Sequence, residues 1–207
     1  MSHEYYIITI IVIMIPIFIY SHFYQNRQKK QLVYIKNYIF PDRIKLKLKE
    51  QYQHLTNEEI DKVLFALRDY FSIANKANGK TVAMPSKVVD TAWHEFIIFT
   101  KVYKTFSQKA FGRFFHHIPT ESIEAKESVD DTLKLTWKLA CLHENIMPTD
   151  PDKLPLLFAI DELLKIEDGN IYSLDDDLTN MLTSQKSDCF GVSGGGGCSG
   201  FTGCGGS

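Results

Sequence analysis

The stretch MPSKVVDTAWHEFIIFTKVYKTFSQKAFGRFFHHIP, residues 84–119, decides the fold of this chain. It opens with Pro85 and Ser86, residue types that commonly begin helices. Its apolar side chains occupy more than one stripe of a helix, which predicts a central helix covered on several sides. The pattern continues as far as Phe111, and Gly112 is expected to end the helix or bend it.

Helical patterns lie on both sides of this central element. Residues 56–59, Thr-Asn-Glu-Glu, form a capping box that is followed by an apolar face at helical spacing. A third helix is expected from about Ser128 to Glu144, and a shorter one from Leu156 to Leu164. The sequence has no series of strands, Asn-Gly hairpin or repeat. It therefore predicts an all-α fold, an irregular helical bundle on a single N-terminal transmembrane helix.

Residues 40–50, FPDRIKLKLKE, are compatible with two structures. Ile44, Leu46 and Leu48 alternate with lysines, which is the periodicity of a strand. Phe40, Ile44 and Leu48 also recur at every fourth position, and Pro41 suits the first turn of a helix. Because no neighbouring strand is predicted, we expect a helix here.

The N-terminal segment is the most apolar part of the chain. Residues 5–20 read YYIITIIVIMIPIFIY, and continuing to Tyr24 gives about 20 residues, enough to cross roughly 30 Å of hydrocarbon as a helix. A signal peptide is a weaker interpretation, because the basic n-region and the cleavage site are both missing. A buried core helix is also weaker, because a basic cluster follows at once. We predict a transmembrane anchor over residues 1–24.

Positive charge follows this segment but does not precede it. From Arg27 to Lys49 there are eight Lys and Arg residues against one acid, Asp42. The positive-inside tendency predicts a single-pass protein of the cell membrane, with its N-terminus outside and the bulk of the chain in the cytoplasm. Residues 25–55 would form a basic juxtamembrane stem. The stem either sets the topology alone or also rests on anionic lipid.

Composition defines the remaining parts of the chain. Residues 56–188 are predicted to be a helical cytoplasmic domain, and residues 189–207 a flexible tail rich in glycine and cysteine. The tail cysteines, Cys189, Cys198 and Cys204, are compatible with metal capture, acylation, thiol exchange or a plain tether. The overall composition, 44% hydrophobic with a net charge of −2, excludes collagen, a disulfide-dense mini-protein, a disordered chain and a multi-span transporter.

The residues suited to chemistry cluster around the central helix. Asp90 and His94 are four residues apart and so project from one helix face, while His117 closes the aromatic-rich stretch and Cys141 comes later. Carboxylate, imidazole and thiolate are ligands of a zinc-like cation, so these four residues are the candidate metal site. The His-Glu pair at residue 94 does not continue as a zincin motif, because Ile98 occupies the position of the second histidine. Two alternatives stay open: a His94–Asp90 hydrogen bond within the bundle, and acid–base catalysis.

Residues 84–119 resemble the core motif of the glycine-rich domain-containing protein-like family, of the bacterial, membrane-anchored type. The matching positions are Val89, Asp90, Trp93, His94, Tyr103, Phe111, Gly112, His117 and Pro119. The later segments WKLACLHE and LPLLFAIDELLKI and the tail are similar in kind, so the likeness covers about 40–170 and the tail. The family's biochemistry is unsettled, so the resemblance implies no activity. Many members carry a cysteine shortly before the Phe-Gly pair, where this chain has Ser107.

Two functions are compatible with these features. The first is a membrane-anchored binding or scaffolding module with an unidentified protein partner. The second is a metal-dependent enzyme or metal sensor that holds a zinc ion at Asp90, His94 and His117. Nucleic acid is not expected as a partner, because the body of the chain is acidic and lacks an RNP-like strand.

Overall fold

The computed structural model describes residues 3–117 and 129–174, and the predicted tail at 189–207 lies outside these ranges. The described residues form helices and connecting segments without a strand, which confirms the predicted all-α class. Helix α3 lies at the centre and contacts each of the other described helices. The helices are α1 (His3–Lys36), α2 (Asp42–Gln51), α3 (Asn57–Lys76), α4 (Lys87–Ile98), α5 (Thr100–Phe111), α6 (Val129–His143) and α7 (Leu156–Leu163).

Helix α1 is continuous from the apolar segment into the packed domain. Its large apolar side chains between Ile10 and Phe23 are exposed, and among the described residues it alone is long and apolar enough to cross a membrane. Its C-terminal part packs on α3 and α5 and buries Ile35 completely. At 1.5 Å per residue its 34 residues span about 51 Å. No loop therefore separates the apolar segment from the domain.

Residues of the predicted juxtamembrane stem belong to the hydrophobic core. Residues 42–51 are helical, as the four-residue spacing predicts, and α2 buries Ile44 and Leu48. Phe40 and Leu55, on either side of α2, are buried as well. The core thus begins well before residue 56, and the predicted division at that position does not coincide with an edge of the packing.

Aromatic rings fill the centre of the core around Phe71 of α3. Its ring centroid lies 5.7 Å from that of Trp93, 6.4 Å from that of Phe96 and 4.9 Å from that of Phe106. Such pairs add to the stability gained from burying the rings. The predicted capping box is present at the start of α3, where Thr56 N donates to Glu59 Oε2 at 2.7 Å and Glu59 N donates to Thr56 Oγ1 at 3.2 Å.

The expectation of one helix running from residue 86 to Phe111 was wrong. The backbone breaks at Phe99, with φ −77° and ψ 58°, and separates α4 from α5. Both halves contact α3, but their other partners differ: α4 also contacts α2 and α7, whereas α5 also contacts α1. The break allows both halves to bury their apolar faces, and the rings of Phe96 and Tyr103 meet across it at 5.2 Å.

The N-terminus of α4 is held by a buried carboxylate on α7. Asp161, only 2% exposed, accepts hydrogen bonds from Ser86 Oγ at 2.7 Å, Lys87 N at 2.7 Å and Val88 N at 3.2 Å. It also accepts one from Asn170 N at 3.0 Å, which attaches the segment after α7 to the same point. A carboxylate is favoured here, because the first turn of a helix has unpaired N–H groups and a partial positive charge.

We expect Asp161→Ala to lower the free energy of unfolding by about 3–5 kcal/mol, since it leaves several buried donors without an acceptor. Asp161→Asn should cost less, because the amide keeps one acceptor oxygen. The measurement is denaturant unfolding of the full-length chain in mild detergent, followed by tryptophan fluorescence. The matched control is Glu162→Ala, an exposed acid on the same helix. A loss below about 1 kcal/mol for Asp161→Ala would contradict this role.

Candidate metal centre

Helix α4 carries two of the predicted ligands on one face. Asp90 stands in its first turn, and His94 follows one turn later. The Asp90 carboxylate suits that position because of the positive end of the helix dipole. His94 Nδ1 lies 3.5 Å from Asp90 Oδ2, and the His94 side chain is 55% exposed. The pair therefore faces an opening at the surface of the bundle and not the core.

The third predicted ligand is brought back to α4 by the segment that follows α5. Gly112, with φ +75°, ends α5 in the left-handed conformation and reverses the chain. Tyr103 Oη donates a hydrogen bond to Phe115 O at 2.5 Å and accepts one from Trp93 Nε1 at 3.1 Å. The Phe115 ring also stacks on the Trp93 ring, with centroids 5.4 Å apart. These contacts place His117 beside α4.

Asp90, His94 and His117 meet in one cluster. His117 Nε2 lies 2.8 Å from Asp90 Oδ1, and the two imidazole rings are 4.4 Å apart. One donor atom from each residue falls within 4.8 Å of the other two. Asp90 and His117 are half-buried, so the cluster has a shielded side and an open side.

The open side of the cluster faces a cavity of about 530 Å³. All three residues of the cluster line it, together with His116. Three cationic side chains also line the wall, from Lys80, Lys87 and Arg113. Lys87 lies 3.8 Å from the exposed carboxylate of Asp168, whereas Lys80 and Arg113 have no ion pair among the described residues. The cavity thus places a cluster of metal-ligand donors beside unpaired positive charge.

The donors in this cluster suit a zinc-like cation. Zinc in proteins takes imidazole nitrogens and carboxylate oxygens at about 2.0–2.2 Å, with three protein ligands and one open position in reactive sites. The cluster offers two imidazoles and one carboxylate next to a cavity. A bound cation would replace the direct hydrogen bond between His117 and Asp90.

Cys141, the fourth predicted ligand, is not part of the cluster. It lies on α6, which packs on α3, and its side chain is fully buried. Burial, with a contribution from the Glu144 carboxylate, raises the pKa of the Cys141 thiol to about 12. Since a metal binds the thiolate, this environment disfavours a ligand role. Of the two adjacent histidines, His117 contacts Asp90, whereas His116 is exposed and packs on Phe114.

The cationic wall of the cavity was not anticipated from the sequence. Lys80 follows a turn after α3, and Arg113 follows the glycine that ends α5. Each is a single basic residue in a connecting segment, which gives no periodic signal. Their proximity to Asp90 depends on how three segments pack, and sequence spacing does not report that.

The fold and the site therefore define a class of protein: an all-helical domain with an aromatic core and a cavity lined by metal-ligand donors. The model of the family described as UCP032817-like matches residues 30–192, more than half of the chain, and the chain belongs to this family. The match includes the whole cluster and most of the core but stops short of the apolar part of α1. No curated protein and no solved structure matches the chain.

We expect Tyr103→Phe to lower the free energy of unfolding by about 1–3 kcal/mol, because it leaves Trp93 Nε1 and Phe115 O without their partner. The same change should loosen the segment that carries His117, visible as faster hydrogen exchange at residues 113–117. Tyr34→Phe is the matched control, since its hydroxyl makes no hydrogen bond to the described residues. Equal effects of the two substitutions would show that Tyr103 does not hold this segment.

Proposed function

We propose that this protein is a membrane-anchored helical domain that binds a zinc-like divalent cation at Asp90, His94 and His117. The observation that carries the proposal is the meeting of three donor atoms within 4.8 Å at the wall of a cavity. Two of the donors are adjacent on α4, and the third comes from 27 residues away through a separately fixed segment. A local accident of helix spacing would explain the first two but not the third.

A cation held by three protein ligands would have a free coordination position toward the cavity. There it would act as a Lewis acid on a bound molecule, or its binding would itself be the signal of a metal sensor. The surrounding residues limit what could approach it. Lys80, Lys87 and Arg113 give the cavity a positive wall, so anionic molecules are favoured as ligands. Trp93 and Phe115 cover one side of the cavity and reduce the access of water to it.

The second candidate function is the binding or scaffolding module with an unidentified protein partner, which the sequence also predicts. It needs no metal at the cluster, where the His117–Asp90 hydrogen bond would then be purely structural. Metal content therefore separates the two functions.

We expect the full-length chain, purified in mild detergent without chelator, to contain about one zinc per chain by elemental analysis. His94→Ala should abolish this content while leaving the fold intact, because more than half of the His94 side chain is exposed. Zinc should also raise the melting temperature of the chelator-treated protein, because ligand binding to the native state stabilises it. The shift should be absent in His94→Ala.

His143→Ala is the matched control. His143 Nε2 lies 3.0 Å from Asp69 Oδ1, so this pair makes the same kind of contact as His117 and Asp90. No third donor joins it within the described residues. The control should keep its zinc. If the wild-type protein contains no metal and zinc does not raise its melting temperature, the metal site is refuted and the scaffold is the better proposal.

The membrane component of the proposal concerns α1. We infer that its apolar part spans the cell membrane, with the N-terminus outside and the domain in the cytoplasm. The support is a helix of sufficient length whose apolar side chains are exposed, followed by basic residues on one side only.

We expect a reporter active only in the cytoplasm to work when fused after Ser207, and a reporter active only outside to work when fused before Met1. Moving the positive charge to the other side of the apolar segment should change the orientation in the membrane. Replacing Arg27, Lys29 and Lys30 by Gln while adding three lysines before Tyr5 should invert a fraction of the molecules. Recovery of the wild-type chain in the soluble fraction would refute the anchor.

A further inference from the structure

We propose that a second cavity, between α1, α3 and the segment after α5, binds the phosphodiester headgroup of an anionic phospholipid that carries a hydroxyl or ammonium donor. The inference rests on the membrane anchor of the proposed function but not on the metal site. The cavity has a volume of about 220 Å³, enough for a headgroup but not for an acyl chain.

The charge of this cavity is entirely positive. Arg27 of α1, Lys80 and Arg113 line it, and no aspartate or glutamate is among the lining residues. None of the three cations has an ion pair to a described residue. Cations gathered around a concave surface without a neighbouring acid favour a phosphate, which can accept several charge-assisted hydrogen bonds.

The backbone beneath Arg27 leaves room for its side chain. Its guanidinium lies over Gly112, where a Cβ atom would overlap Arg27 Nη2 and contact Arg27 Cζ at 3.1 Å. Gly112 also has φ +75°, so glycine serves both the left-handed turn and the close approach of the guanidinium. Glycine at position 112 thus allows the Arg27 guanidinium to lie against the wall of the cavity.

A buried amide gives a second, independent indication of a ligand. Asn75 is 9% exposed and lines the cavity. Its Nδ2 donates to Gln31 Oε1 at 3.1 Å and to Ala110 O at 2.8 Å, which fixes the orientation of the amide. Its Oδ1 has no hydrogen-bond partner among the described residues. An unpaired buried acceptor is costly. Because Asn75 Oδ1 has almost no exposed surface in this structure, a hydroxyl or ammonium donor of a ligand would reach it only through a shift of the neighbouring side chains.

The position of the cavity along α1 favours a lipid over a soluble phosphate. The cavity is lined by Tyr24, Arg27, Gln28 and Gln31, which follow directly on the last apolar residue of the exposed segment, Phe23. At 1.5 Å per residue, Arg27 lies about 6 Å and Gln31 about 12 Å beyond Phe23 along the helix axis. The headgroup layer is about 5–8 Å thick on each side of the hydrocarbon, so Arg27 falls within this layer and Gln31 a few ångströms beyond it.

The test uses the full-length chain in a neutral detergent and native mass spectrometry to count bound lipids. Dioleoylphosphatidylglycerol offers a phosphodiester and hydroxyl donors, dioleoylphosphatidylcholine offers a phosphodiester without donors, and glycerol 3-phosphate offers a soluble phosphate monoester with hydroxyl donors and no acyl chains. We expect one tightly bound phosphatidylglycerol per chain, with at least about tenfold weaker binding of the other two.

The Arg27→Gln, Arg113→Gln double variant should lose at least about tenfold in affinity for phosphatidylglycerol. The matched control is Lys29→Gln, Lys30→Gln, which removes the same charge from exposed positions of α1 that do not line the cavity. Its affinity should stay within about twofold of the wild type. Circular dichroism melts of both variants show whether either has lost its fold, and Arg27→Lys, which keeps the charge, should retain at least half of the binding.

Equal losses in the two double variants would overturn the proposal, because they would mean diffuse attraction to basic residues near the membrane. Glycerol 3-phosphate binding as tightly as the lipid would overturn the lipid assignment. Absence of any bound phosphatidylglycerol would overturn the site altogether. Zinc content should be unchanged in the Lys29→Gln, Lys30→Gln control and in a single Arg27→Gln variant, because these residues do not line the cavity of the metal centre, so that failure here is distinguishable from failure of the metal proposal.

Discussion

The hydrogen bonds of Asp161 fix the position of the helix on which the candidate metal centre is built. A carboxylate buried from water is stable only when its oxygens are well satisfied, and here four donors from two segments converge on it. Three of those donors belong to the start of α4, one turn before Asp90. These hydrogen bonds therefore fix the position of α4 relative to α7, and the position of α4 in turn places Asp90 beside the cavity. It also explains how an eight-residue helix near the end of the described chain can matter to a site 70 residues earlier.

A second polar contact completes the site from the other side. Tyr103 lies across the break between α4 and α5, and its hydroxyl joins Trp93 of α4 to Phe115 of the returning segment. Burial raises the pKa of Tyr103 to about 12, so the hydroxyl keeps its proton at physiological pH and continues to donate it to Phe115 O. The break at Phe99, the left-handed Gly112 and this hydroxyl together fold a linear stretch of sequence back on itself. The result is that residues 27 positions apart become neighbours at 2.8 Å.

Local features of this structure follow from the sequence, and the contacts between distant segments do not. The capping box at Thr56, the helical reading of residues 42–51 and the shared face of Asp90 and His94 depend on spacing alone, and the structure has all three. The break at Phe99 could not be foreseen, because the apolar pattern continues through it and only packing on different partners separates the halves. The role of Asp161 was invisible for a related reason: three of its four donors lie more than 70 residues away. The same limit explains why Cys141 was a candidate ligand by residue type and is a buried core thiol by position.

The continuity of α1 joins the apolar segment directly to the domain that contains both cavities. The helix enters the core without a loop, so the domain is held at a fixed distance from the apolar segment, with Tyr24 hydrogen-bonded to Asn78 beyond α3. Gly79, Lys80, Arg113 and Phe115 line both cavities, which makes the cavities neighbours with a common wall. An anion bound in either cavity would reduce the positive potential that Lys80 and Arg113 present to the other, and a cation at Asp90 would have the opposite effect. Since such a coupling is reciprocal by thermodynamic necessity, occupancy of either cavity would alter the affinity of the other.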